Sequence, residues 1–259
     1  MLIAEDNPVN QKLAVAMLAK LGYEADVVND GAQAVDAATT RRYSAVLMDC
    51  EMPHMDGYQA TAEIRSREQQ ASARIPIIAM TAAALKGDRE RCLAAGMDDY
   101  ISKPVDLNEL QQTVAKWVGA QDVSPPGSDR KMSSAAANWT VDPHRVSELR
   151  ALSRDQLPSA FSEIAVLFLN DTPTRLETLR AATLSGDAGG AEDAAHYIRG
   201  AAGNLGAAGL RDLCGRVETL ARAGDVTGAA ELLDQLDAEF ARVRAALRDE
   251  IAREEAASG

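Results

Sequence analysis

Residues 45–57 read Ala-Val-Leu-Met-Asp-Cys-Glu-Met-Pro-His-Met-Asp-Gly. An apolar run, 45–48, stops at Asp49, a loop containing Pro53 follows, and helical spacing starts at Gly57. A short apolar run bounded by turn residues has the signature of a buried strand. Similar runs recur at 2–4, 25–28, 77–80 and 100–101, and segments of helical period lie between them, at about 30–39, 57–66, 85–95 and 107–118. Strands alternating with helices imply βαβ units, a mostly parallel sheet and right-handed crossovers with helices on both faces. The first helix has Asn7 in the capping position and Pro8 at its first turn, then Leu13, Met17, Leu18 and Leu21 at helical spacing, with Gly22 as its stop.

Past Val118 the periodicity ends. Residues 119–140 carry Pro125, Pro126, Gly127 and a Ser-Ser pair among small and polar residues, the composition of a linker. A flexible chain of about 21 residues has a root-mean-square span of ~25 Å, enough for two domains to meet without a fixed orientation. Beyond Val141 no strand signal remains. Asp142 and Pro143 open one helix, and Phe161, Ile164, Ala165, Phe168 and Leu169 share a face of the next. Asp171, Thr172 and Pro173 predict a bend or break there. Further helices are expected at about 190–205, 209–223 and 226–254, which makes residues 141–259 an antiparallel four-helix bundle.

The 259 residues carry 27 Lys and Arg against 39 Asp and Glu, a net charge of −12. The deficit is shared, with 12 basic residues against 17 acidic in 1–118 and 13 against 20 after Val141. Neither half has a basic stripe, so nucleic acid is excluded as a partner. No apolar run approaches 18 residues and no signal-peptide core is visible, which argues against membrane insertion and for the cytoplasm. Cys50, Cys92 and Cys214 are odd in number and share no metal-ligand spacing, so neither a disulfide framework nor a zinc site is expected.

The carboxyl ends of the expected strands carry Glu5 and Asp6, Asp49, Thr81 and Lys103. In a doubly wound sheet the functional crevice lies at that edge. Carboxylates converging there repel one another and need a cation, and all-oxygen ligation suits Mg²⁺ better than zinc. Lys103 is the compensating fixed charge; its ammonium and the Thr81 hydroxyl are suited to phosphoryl oxygens.

The stretches IAEDNPVN (3–10), LMDCEMPHMDG (47–57), MTA (80–82) and YISKP (100–104) resemble the response-regulator receiver domain across nearly all of 1–118. The resemblance implies a five-stranded parallel sheet of order 2-1-3-4-5. It implies that Asp49 is the phosphoacceptor, a carboxylate nucleophile that becomes an acyl phosphate. Mg²⁺ would be held by Asp6, by Glu5 through water, by Asp49 and by the backbone carbonyl of Glu51. Lys103 would pair with the phosphoryl group, Thr81 and Tyr100 would be the switch pair, and the Lys103-Pro104 bond would be cis. Glu51 and Ala83 occupy positions that resemble those tuning hydrolysis in receivers. The MDCEMPHMDG loop resembles receivers of hybrid sensor kinases more than those with DNA-binding outputs. Only four residues precede Glu5, fewer than receivers usually have, which points to a piece of a longer protein or to a misplaced start.

Of three histidines, His54 is expected to be solvated in the loop after Asp49 and His144 to lie on the surface of a first helical turn. His196 differs, because Arg199, Gly200 and Gly203 share its helix face while Ile198, Ala202 and Leu205 point to the core. Each glycine costs a helix about 0.5–1 kcal/mol relative to Ala; bare backbone beside an imidazole gives a partner access, and Arg199 offers charge to phosphate oxygens. The stretch AHYIRGAAGNLGA (195–207) resembles the histidine phosphotransfer signature, with Arg199 where that family often has Lys. This implies that His196 is phosphorylated.

Together the resemblances imply a multistep phosphorelay: an upstream histidine kinase phosphorylates Asp49, and His196 passes the group to a downstream receiver. The alternatives are a regulatory binding module or a phosphate sink in which His196 is unused. No nucleotide-binding Gly-rich loop and no dimerising kinase histidine are visible, so autophosphorylation from ATP is not expected of this chain. It reads as a phosphotransfer protein, part of a hybrid histidine kinase at the cytoplasmic end of a membrane-bound sensor.

Overall fold

The computed structural model describes residues 1–68, 74–81, 86–119, 140–153 and 159–258. The expected linker therefore lies outside the described residues except at Gly119 and Thr140, and so do Ala83 and Leu85. The first elements in chain order are β1 (Leu2–Ala4), α1 (Pro8–Lys20), β2 (Asp26–Val28), α2 (Gly31–Thr40), β3 (Val46–Asp49), α3 (Gly57–Glu68), β4 (Ile77–Thr81), α4 (Lys86–Ala94), β5 (Asp99–Ser102) and α5 (Leu107–Val118). They are followed by α6 (Pro143–Arg150), α7 (Ala160–Ser185), α8 (Ala188–Asn204), α9 (Ala208–Arg222), α10 (Val226–Ala230) and α11 (Leu233–Ser258). The chain divides into two compact units, Met1–Ala4 with Asp26–Trp139 and Glu5–Ala25 with Thr140–Gly259.

The first unit is built on a parallel sheet of order β2-β1-β3-β4-β5. Its register sets Ala4 of β1 opposite Met48 of β3, Asp49 opposite Met80 of β4, and Thr81 opposite Ser102 of β5. One face packs Leu2, Ala4, Val46, Met48, Ile77 and Ala79 against Ala34 and Val35 of α2, Ala60 and Ile64 of α3 and Cys92 of α4. The alternate residues Ile3, Leu47, Ile78 and Ile101 are equally buried, as a parallel sheet covered on both faces requires. Every residue of β3 and β4 is buried, whereas β2 is a partly exposed edge. Full burial of one such Leu or Ile contributes about 1.5–3 kcal/mol, so the hydrophobic effect anchors the central strands.

The caps are those the side chains dictate. Asn7 accepts hydrogen bonds from the backbone of Val9 and Asn10, with Pro8 at the first turn of α1. That helix ends where Gly22 takes φ +86°, donating to Ala19 O at 3.0 Å while Tyr23 donates to Leu18 O at 2.9 Å. Asp30 caps α2 and Asp106 caps α5.

In the second unit α7, α8, α9 and α11 pack in a ring, each against the next, with α6 on α7 and α10 between α7 and α9. The connections from α7 to α8 and from α8 to α9 are two and three residues long, so successive helices run antiparallel. Phe161, Ile164, Phe168, Ile198, Leu210, Val217, Leu236, Val243 and Leu247 are buried in this core. Phe168 meets Phe240 edge to face at 6.0 Å. No described helix is long and apolar enough to cross a membrane.

Two helical expectations are corrected. Of the bend or break expected at Pro173, a break does not occur, because the residue lies inside the 26-residue α7. Proline forfeits one backbone hydrogen bond and crowds the carbonyl four residues back, at about 3 kcal/mol, but burial of Phe168 and Thr172 before it and of Leu176 and Leu179 after it holds both halves in one core. The single helix expected over 226–254 is two, α10 and α11, with Asp225 accepting from Gly228 N to cap the first.

Candidate functional site

Asp49 is the last residue of β3 and is 3% exposed. Its Oδ2 lies 2.7 Å from Lys103 Nζ, and its Oδ1 accepts from Glu51 N at 3.3 Å. Lys103 follows β5 directly; its backbone N–H donates to Thr81 O at 2.7 Å, which ties the end of β4 to the turn carrying the ammonium group. Such a pair, nearly free of solvent, depends on both members, because removing one leaves an uncompensated buried charge. Thr81 closes β4 and is 5% exposed. Tyr100 on β5 is half-buried and packs against the apolar core. The Lys103-Pro104 bond is cis, as the resemblance implied.

Glu5 and Asp6 continue from β1 at the point where Ala4 faces Met48, the residue before Asp49. β1 and β3 lie where the strand order reverses, so their carboxyl ends open on the crevice of a doubly wound sheet. Glu5 is buried, and its Oε1 accepts from Asn10 Nδ2 at 2.9 Å and Asn7 N at 3.3 Å. Asp6 is half-buried, and the Glu51 side chain is exposed.

The loop after Asp49 is fastened on both sides. Gly57 N donates to Cys50 O at 3.1 Å, Gly31 N donates to Met55 O at 3.2 Å, and Asp56 Oδ1 accepts from Gln59 N at 2.7 Å to start α3. Gly57 is a residue the sequence reading passed over: a Cβ there would stand 2.1 Å from Asp49 O. The only local sign of it is a glycine directly behind the loop's capping aspartate. Cys50 and Cys92 form no disulfide, and their thiols lie 3.8 Å apart. Their mutual hydrogen bond and burial push the Cys50 thiol up, so it is an inert packing group at neutral pH.

His196 lies on α8 with its side chain 18% exposed. Ile198, Ala202 and Leu205 are fully buried, as the helical spacing required. The Nδ1 atom is 3.4 Å from Glu218 Oε1 on α9. Arg199 Nη1 is 3.1 Å from Glu218 Oε2, so this guanidinium is held beside the imidazole by an ion pair. Arg222 Nη2 donates to Glu218 Oε1 at 3.0 Å, and Arg222 Nε donates to Glu192 Oε1 at 2.7 Å. Glu218 was not singled out from the sequence. Its signal is an acid inside the apolar stripe formed by Leu210, Cys214, Val217 and Ala221, all buried. His54 is exposed with φ 67°, and His144 is exposed beside Glu148.

Residues 1–115 match the family described as response regulator receiver domain, and residues 163–246 match the Hpt domain. The sensor protein GacS of Pseudomonas syringae pv. syringae is 31% identical over 250 residues, covering 95% of this chain and 27% of the relative. The sensor histidine kinase RcsC of Salmonella typhi is 40% identical over 116 residues, 45% of this chain and 12% of the relative. The chain thus spans a minor part of the length of these relatives. Among solved structures, the receiver domain of sensor histidine kinase PA1611 from Pseudomonas aeruginosa PAO1, with a magnesium ion in its active-site cleft, is 55% identical. The match covers 46% of this chain and 96% of that one, with a TM-score of 0.42. The chain therefore joins a response regulator receiver domain, over 1–115, to an Hpt domain, over 163–246.

Proposed function

We propose that this chain relays a phosphoryl group from an upstream histidine kinase through Asp49 and His196 to a separate receiver, as part of a hybrid histidine kinase in the cytoplasm. The observation that carries the reading is the buried Asp49 at the end of β3 with the Lys103 ammonium 2.7 Å from its carboxylate. A carboxylate oxygen of Asp49 attacks phosphorus, the P–N bond to the donor histidine breaks, and an acyl phosphate forms while the donor recovers its imidazole. Lys103, which faces the Asp49 carboxylate, meets the charge of the phosphoryl oxygens. Thr81 offers its hydroxyl from the neighbouring strand end, and Tyr100 on β5 is the aromatic member of the switch pair. In the second transfer a ring nitrogen of His196 attacks phosphorus and the bond to the Asp49 oxygen breaks, with Arg199 beside the ring to meet the phosphoryl charge. No nucleotide takes part in either transfer.

Mg²⁺ fits the donor set. Glu5, Asp6, the Asp49 carboxylate and the Glu51 carbonyl are all hard oxygen donors, and they belong to the ends of adjacent strands and the loop that follows. The ion would supply positive charge to the phosphoryl oxygens. The working limits are 1–118 for the receiver, 119–140 for the linker and 141–259 for the phosphotransfer domain.

The test is to map phosphate after incubation with acetyl phosphate and Mg²⁺ in the wild type, Asp49→Ala and His196→Gln. Label on both Asp49 and His196 of the wild type, none on either residue of Asp49→Ala, and label on Asp49 alone in His196→Gln is the expected pattern. Label confined to Asp49 of the wild type would leave a binding switch or a phosphate sink instead.

A further inference from the structure

We propose that Asn10 is a positioning residue for Glu5: its side-chain amide, together with the first turn of α1, fixes the orientation in which the Glu5 carboxylate meets the divalent ion. The inference deepens the reading of Glu5 as a holder of Mg²⁺ and rests on that reading for its purpose.

Glu5 is 1% exposed, and burying a carboxylate is unfavourable unless donors meet it. Its Oε1 accepts from Asn10 Nδ2 at 2.9 Å and from Asn7 N at 3.3 Å, and its backbone carbonyl accepts from Gln11 Nε2 at 2.6 Å. The start of one helix thus fastens both the carboxylate and the main chain of a single acid. Local chemistry explains why Asn stands at position 10. With Asn7 as the cap and Pro8 first in α1, Asn10 is the third helical residue, where a capping box has Glu or Gln to accept the backbone N–H of the cap. Here Glu5 accepts that N–H instead, so an acid at position 10 would set two carboxylates against each other. A carboxylate only accepts hydrogen bonds and an amide NH₂ only donates, so the Asn10 side chain is the neutral complement. Asn is a poorer helix former than Ala, a disadvantage that the hydrogen bond to a charged acceptor offsets. Two donors on one oxygen hold the carboxylate in a single orientation. Groups that orient a metal-binding side chain in this way typically contribute about 10–100-fold to metal affinity.

The experiment titrates Mg²⁺ into the full chain and follows ¹H–¹⁵N amide shifts, for the wild type, Asn10→Ala, Glu5→Ala and the double variant. Ala favours the helical state of α1, and circular dichroism verifies that each chain is folded. Asn10→Ala is expected to weaken Mg²⁺ binding about 10-fold, the lower end of the usual range, because Glu5 would hold the ion through water. In the Glu5→Ala chain the same replacement has no further effect, since Asn10 then has no carboxylate to orient. In the wild type the Asn10 side-chain NH₂ signals move as the ion binds, a readout that needs no variant. A Mg²⁺ affinity within about twofold of the wild type in folded Asn10→Ala overturns the proposal. So does a loss that persists in full in the Glu5→Ala background, or an Asn10 NH₂ signal that stays in place at saturation. A wild type that binds no Mg²⁺ overturns the metal reading and this proposal with it. A loss in Asn10→Ala that disappears in the Glu5→Ala background supports the proposal even if Asp49 takes up no phosphate; that result would count against the relay and not against the role of Asn10.

Discussion

Replacing Gly57 by Ala strikes at the backbone of the phosphoacceptor. The added Cβ would sit 2.1 Å from Asp49 O, where contacts under 3.0 Å essentially never occur, so the strand end and the start of α3 must separate by about 0.9 Å. Neither side yields easily. Asp49 is fixed by β3 pairing and by Lys103, and Gly57 donates to Cys50 O at 3.1 Å while its carbonyl accepts from Thr61 Oγ1 at 2.7 Å. Overpacking of this kind costs about 1–3 kcal/mol, a large fraction of the ~5–15 kcal/mol that holds a domain folded. Gly203→Ala in α8 is the contrast. Its Cβ would meet Arg211 Cδ at 3.4 Å, an ordinary contact with a flexible side chain, and the helix would gain about 0.5–1 kcal/mol. Urea unfolding followed by circular dichroism measures both, and amide exchange read by mass spectrometry assigns the loss to the first unit. Phosphorylation by acetyl phosphate should slow in Gly57→Ala. If Gly57→Ala unfolds within 0.5 kcal/mol of the wild type and takes up phosphate at the same rate, the close approach of Gly57 to Asp49 is not the constraint argued for it.

Lys103→Met leaves the buried Asp49 carboxylate without its ammonium partner and should destabilise the first unit by about 3–5 kcal/mol; a loss below 1 kcal/mol in thermal unfolding would contradict the pairing. Mg²⁺ at a hundredfold excess over its dissociation constant should stabilise the chain by about 2.7 kcal/mol, an effect that Asp49→Asn largely removes, and chelation should stop uptake from acetyl phosphate. Burial alone would raise the Glu254 carboxyl, but hydrogen bonds from the Ser159 hydroxyl and backbone and from Arg150 outweigh it and hold the group below its usual range. A folded-state value below the unfolded one adds stability that is present above the ordinary Glu range, about pH 4.3, and is lost as pH falls through the folded value. Urea unfolding of the helical unit between about pH 3 and 6 should therefore show an acid-sensitive component that Glu254→Gln lacks; an identical pH profile for the variant would refute it.

Much was legible along the chain because local chemistry has a short range. The apolar runs ending at Ala4, Met48 and Met80 mark central strands, since a β-branched or apolar stretch between turn residues has few other uses, and the strands of the sheet fall there. Asn7 with Pro8 announces α1 because cap and first turn are set by neighbours in sequence. The placement of Asp49, Thr81 and Lys103 at strand ends follows from the same pattern, and so does the contrast between the partly exposed His196 and the fully buried Ile198, Ala202 and Leu205. Pro173 shows the limit, because local preference argued for a break and burial on both sides of it outweighed that preference.

The sequence by itself determined which segments are strands and helices, where the acidic, hydroxyl and ammonium groups fall along them, and which histidine stands apart, because each depends on residues within a turn or two. Tertiary structure alone decided the 2.7 Å approach of Lys103 to Asp49, the meeting of Cys50 with Cys92, the crowding of Gly57 on Asp49 O, and the convergence of Arg199, Arg222 and His196 on Glu218. These join residues distant in the chain or on different elements. Whether such groups touch depends on how strands and helices pack and on the need to pair whatever charge that packing removes from water.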